Sequence, residues 1–130
     1  MNKRVVRVAE WPTPRGYENG IVAEGPVLYV AGQVGWNAEG KFEHADLPGQ
    51  FGQTLENVLA VLHAAGASAA NVVKMTVYVT DLEAYRSQQR EIGRVWRERM
   101  GKVFPVMALV GVAGLVEREV LVASETVAHL

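Results

Sequence analysis

The chain has 130 residues, 49% of them hydrophobic, with a formal net charge of -1. That length holds one domain with a real core and no second one, and the apolar fraction excludes a disordered chain. Near-neutrality argues against a nucleic-acid binder, and the absence of cysteine removes disulfides, thiolate metal sites and cysteine nucleophiles.

The N-terminal run Met1-Asn2-Lys3-Arg4-Val5-Val6-Arg7 carries charge at once. No apolar run anywhere reaches membrane-spanning length. The expectation is an unprocessed, soluble, cytoplasmic protein with no membrane contact. Val5 to Ala9 reads as a first strand, and Trp11 to Gly16 as a loop broken by two prolines and a glycine. Ile21 to Glu24 and Val27 to Ala31 read as a hairpin around Gly25-Pro26. Asn37 to Gly40 reads as a turn. From Phe51, apolar residues at Leu55, Val58, Leu59 and Leu62 make one helical stripe. Asp46 stands at its N-cap position, Pro48 near its first turn and Gly66 just past its end.

Val72 to Thr80 is rich in β-branched residues and reads as a strand. A second helix runs from Asp81 through Leu82, Tyr85, Ile92, Val95 and Trp96 to Gly101. Phe104 to Val112 and Val120 to Val127 complete the order β-β-β-α-β-α-β-β. Strand alternation puts Met107 and Leu109 on one face, and Val106, Ala108, Val110 and Val112 on the other. Two helices cover one face of such a sheet. Its second face is partly apolar, so packing against another copy of the chain is expected, with a loop lid as the alternative.

Five segments in order resemble the RidA/YjgF family, also known as endoribonuclease L-PSP. They are Gly16-Tyr17-Glu18-Asn19-Gly20, Tyr29-Val30-Ala31-Gly32-Gln33-Val34, Gln53-Thr54-Leu55-Glu56-Asn57-Val58-Leu59, Val72 through Leu82, and Phe104-Pro105. The resemblance covers nearly the whole chain, residues 1–130, as a single domain. It implies an α+β, chorismate-mutase-like fold, with two helices on one face of a mixed sheet. It also implies a homotrimer whose sheets form an inner barrel and whose small-molecule ligands lie in clefts between subunits. Active members hydrolyse enamines and imines to 2-keto acids and ammonia, without a cofactor.

That chemistry needs a cation for the substrate carboxylate and polar groups that activate a water. The family's arginine, which follows Phe-Pro, falls on Met107, and a thioether cannot pair a carboxylate. The family's glutamate in the last strand falls on Ala123, while the second acid falls on Glu125. Glu119 is the nearest alternative acid should the register shift. The serine before Gly-Gln is Ala31. Tyr17 either offers its hydroxyl to a ligand or packs on the sheet. Gly32 and Gln33 match the family and Gln89 sits near a pocket position, though a solvated glutamine fits the helix face equally well. Trp36 either walls the cleft or packs in the core.

The ligand-binding set is therefore Tyr17, Ala31, Gly32, Gln33, Met107, Ala123 and Glu125, with no assignable catalytic residue. His44, His63 and His129 lack metal-like spacing, and no metal is expected. Arg86, Arg90, Arg94, Arg97 and Arg99 are interspersed with Glu91 and Glu98 and read as a solvated face. The leading expectation is a diverged, trimeric binding protein without ordinary 2-iminoacid deaminase activity, preferring a less charged, more apolar ligand. The second is an imine hydrolase whose clamp comes from Arg15 or Arg118. A ribonuclease ranks last, for want of a basic track.

Overall fold

In the computed structural model, which describes residues 2–130, the alternating segments become strands and the periodic ones helices. The strands are β1 (Asn2–Val6), β2 (Gly20–Glu24), β3 (Val27–Val34), β4 (Val72–Val79), β5 (Val106–Gly111) and β6 (Val122–His129). The helices are α1 (Leu47–Ala64), α2 (Leu82–Ser87) and α3 (Gln89–Met100). The main sheet has the order β3-β6-β4-β5, and β1 and β2 form a separate ribbon. β6 runs antiparallel to both of its neighbours. β4 and β5 are parallel, as a helical crossover between them requires. The fold is α+β with a mixed sheet, in keeping with the order read from the sequence.

Three local expectations change. The first strand lies at Asn2–Val6, earlier than Val5 to Ala9, because it pairs along β2 from Asn2↔Glu24 to Val6↔Gly20. The expected hairpin around Gly25-Pro26 does not form, since β2 pairs with β1 while β3 pairs with β6. Gly25 has φ +112°, a conformation glycine adopts without steric cost. There the chain leaves the ribbon and joins the main sheet, where Pro26 C=O accepts from Leu130 N–H at 2.8 Å. The second helix is broken at Gln88, giving three helices instead of two. Ser87 Oγ and Gln88 Nε2 both bond back to the Ala84 carbonyl, competing with the helical ladder.

The helix boundaries otherwise follow their signals. Asp46 holds the N-cap position of α1 without a side-chain cap bond, and Pro48 sits in its first turn. Asp81 caps α2 by accepting from Ala84 N–H at 3.1 Å. Gly66 and Gly101 end α1 and α3 with φ of +75° and +67°.

Phe51, Leu55, Val58 and Leu62 of α1 are buried with Ile92, Val95, Trp96 and Met100 of α3. Met75, Val77 and Val79 of β4 and Val122 and Ala128 of β6 meet them from the sheet. All this packing lies on one face. The pairing register aligns the other face: Lys74, Thr76 and Tyr78 beside Val106, Ala108 and Val110, with Ala123, Glu125 and Val127 across from them. Nothing within the described residues covers that face, and Tyr29 on it is 77% exposed.

Candidate functional site

A cavity of about 330 Å³ opens where α2 and α3 cross the β5 edge of the sheet. Strand alternation brings Met107 and Leu109 into its wall from β5. The helical side supplies Tyr85 from α2 and Gln89, Gly93 and Arg97 from α3, the last three spaced four apart so that they follow one side of that helix. Phe51 and Trp96 close the floor with near-parallel rings whose centroids are 6.4 Å apart. Trp96 Nε1 donates to Val103 C=O at 3.1 Å, which fixes the loop between α3 and β5.

The N-terminal loop forms the remaining edge. Glu18 N–H donates to Pro105 C=O at 3.1 Å, tying this loop to the start of β5. Arg7 holds the Glu18 carboxylate with two bonds of 2.9 and 3.0 Å. Gly16 thereby comes to line the cavity beside Phe104. Tyr17 is next in the chain, 43% exposed and outside the lining.

The lining is mostly apolar. Its polar groups are the Gln89 amide, the Arg97 guanidinium and the Tyr85 phenol. Burial raises the Tyr85 pKa, so the hydroxyl stays protonated and can donate. No carboxylate, histidine or serine lines the cavity among the described residues. A general base for water is therefore missing from the part of the site that one chain builds.

The other expected ligand-binding residues lie apart from it. Ala31, Gly32 and Gln33 are on β3, the opposite edge of the sheet, with β6 and β4 between them and β5. A side chain at Gly32 would meet nothing within 4 Å in this chain. Gln33 Nε2 turns back to the Ala31 carbonyl at 3.2 Å. Ala123 and Glu125 stand on the uncovered face of β6, where Glu125 accepts the Tyr78 hydroxyl. Glu119 gives its carbonyl to Gln50, away from the cavity. Trp36 pairs with Phe42, ring centroids 6.2 Å apart. One chain thus unites Met107 with Gln89 and leaves the β3 and β6 residues elsewhere.

Arg97 and Tyr85 are the residues that sequence reasoning missed. The reading of the five arginines as a solvated face holds for Arg97 in that it is exposed, but Arg97 also lines the cavity. The available signal was Gly93, a small residue one turn before Arg97 in a helix otherwise made of larger side chains. No group of histidines and acids that could hold a metal occurs among the described residues. Among the described residues, no helix is long and apolar enough to cross a membrane.

Comparison with known proteins gives a consistent answer. The family model described as Endoribonuclease L-PSP matches residues 10–130. A RutC family protein of Pyrococcus abyssi is 32% identical over 130 residues, covering 99% of this chain and 98% of the relative. The human 2-iminobutanoate/2-iminopropanoate deaminase is 27% identical over 114 residues, 87% of this chain and 80% of that one. The Rid family protein YyfB of Yersinia pestis superposes with a TM-score of 0.88 at 32% identity, over 100% of both chains. The E. coli protein TdcF, solved with bound serine, gives 0.71 at 29% identity over 98% of each. This chain belongs to the Endoribonuclease L-PSP family, the Rid/YjgF proteins.

Proposed function

We propose that the chain is a diverged Rid protein that binds a small molecule in clefts of a homotrimer and lacks ordinary 2-iminoacid deaminase activity. The observation that carries the reading is Met107 in the cavity wall, where the family pattern expects an arginine. A thioether offers no fork for a substrate carboxylate. Ala123 in place of the family glutamate, and a cavity free of carboxylates, remove the second requirement, a group to activate water. The trimer is supported by the uncovered sheet face and by Tyr29 standing open on it. It would also explain why the β3 residues and Met107 occupy opposite edges of one sheet, since a cleft between copies draws on both. The bound serine of TdcF supports a ligand of similar size. Cavities that hold small molecules start at about 300 Å³, which puts this one at the small end.

A second reading, an enamine/imine hydrolase, is favoured by one observation: Arg97 gives the same cavity a cation. The deaminase name of the human relative also favours it. The test is direct. An amino-acid oxidase generates 2-imino acids, semicarbazide traps them, and the protein is added at increasing amounts. The trapped product is expected to stay constant. A dose-dependent decrease would overturn the binding-only reading and establish the hydrolase. Ribonuclease action has no support in the charge balance, and labelled single-stranded RNA is expected to survive incubation intact.

A further inference from the structure

We infer that Arg97 is the anion-binding residue of the α3–β5 cavity, and that the cavity takes a small carboxylate with an apolar tail. This rests on the preceding reading of the cavity as the ligand site. It differs from the expectation of a less charged ligand, and it places the cation on a helix instead of on β5, Arg15 or Arg118.

Three of the arginines around Arg97 are occupied. Arg86 pairs with Glu83, Arg94 with Glu91 and Glu98, and Arg99 with Glu56 and Glu98. Arg97 has no ion-pair partner among the described residues, although it shares a helix with Glu91 and Glu98. Arg90 also lacks one, but it does not line the cavity. A helical side chain points back towards the N-terminus of its helix. Arg97 does so across Gly93, where an added Cβ would lie 3.3 Å from its Nη1. Glycine weakens a helix interior relative to alanine. Here it occurs beneath the guanidinium, and both residues line the same cavity.

An unpaired guanidinium beside an apolar cavity recognises an anion with an apolar body. Its fork matches a carboxylate, and Gln89 and the protonated Tyr85 phenol stand two and three steps of four residues before it along the cavity wall. Met107, Leu109 and Ile92 offer the tail an apolar wall. With the cation on α3, the carboxylate sits at the helix and the tail at Met107.

The experiment compares hexanoate with its neutral counterpart hexanamide. Each is titrated into the full-length chain, following the Met107 methyl and Trp96 indole signals by NMR. Both ligands are expected to shift the Met107 methyl, with hexanoate at least about tenfold tighter, as a charge-assisted fork implies. Arg97→Gln is expected to abolish that preference while weakening hexanamide far less than hexanoate, and Arg97→Lys to restore part of it. Equal affinities that Arg97→Gln does not alter would overturn the role of Arg97 and leave the cavity standing as a ligand site. Failure of both compounds to move the Met107 methyl would overturn the cavity reading, and the anion site with it.

Discussion

Tyr78 donates its hydroxyl to Glu125 Oε1 at 2.5 Å, joining β4 to β6 on the sheet face that the helices leave open. The bond raises the Tyr78 pKa, with desolvation and the carboxylate's charge adding to it. Burial raises that of Tyr85 on the other face. Both phenols hold their protons more tightly folded than unfolded. Their contribution is therefore complete below the ordinary phenol pKa of about 10, and is lost as pH rises through the folded values. An absorbance titration of the folded protein should show these two phenolates forming late. The alkaline loss of stability should be shallower in Tyr78→Phe than in the parent. An identical profile in the two would remove the hydrogen bond as its cause.

The same open face predicts assembly. Tyr29 is 77% exposed and Val110 39% exposed in the single chain, on strands at opposite edges of the sheet. Sedimentation at micromolar concentration should give a species of three times the 14.2 kDa chain mass. Tyr29→Asp places a carboxylate in the expected interface, where an unpaired buried charge costs several kcal/mol. That variant should sediment as the single chain with its circular dichroism unchanged. A parent protein that stays at the mass of one chain would overturn the trimer.

Gln50 is 1% exposed and joins three parts of the chain. Its Nε2 donates to the carbonyls of His44 and Glu119 at 3.1 and 2.9 Å, and its Oε1 accepts from Leu121 N–H at 2.9 Å. The side chain thus anchors the segment leading into α1 to the segment leading into β6. Gln50→Leu keeps the volume but strands those backbone groups, so denaturant unfolding should show a loss of about 2–4 kcal/mol. A loss below about 0.5 kcal/mol would mean that water satisfies them instead.

The fold was legible where a single local rule decides. The stripe through Phe51, Leu55, Val58 and Leu62 had only one helical reading, and all four are buried. Met107 and Leu109 were separable from Val106, Ala108 and Val110 because side chains alternate along any strand. The hairpin failed because pairing is settled over a distance: β6, nearly a hundred residues later, claims the β3 edge. The break at Gln88 depends on two side chains bonding to one carbonyl, which no periodicity encodes. Arg97 was hidden for a related reason. Five arginines in one stretch look alike in sequence, and among the described residues carboxylates from α1, α2 and α3 pair with some and not with others. Only the packing of α3 over β5 shows which one meets a cavity.

Gly93→Ala separates helix stability from ligand binding. In a helix interior, alanine is favoured over glycine by about 1 kcal/mol. The new methyl would meet Arg97 Nη1 at 3.3 Å, close enough to require a shift of a few tenths of an ångström. The atom it meets is the far end of a flexible, exposed side chain, so the helix can keep its gain while the guanidinium moves. Thermal unfolding should therefore rise by a few degrees, about 3–6 °C for a domain of this size. Hexanoate binding should weaken, because the fork leaves its position, while hexanamide should change less, losing only the space the methyl fills. A variant that is more stable and binds both ligands as tightly as the parent would show that Gly93 serves neither Arg97 nor the cavity. One that is less stable would show that the guanidinium is held too firmly to yield, a contact stronger than its exposure implies.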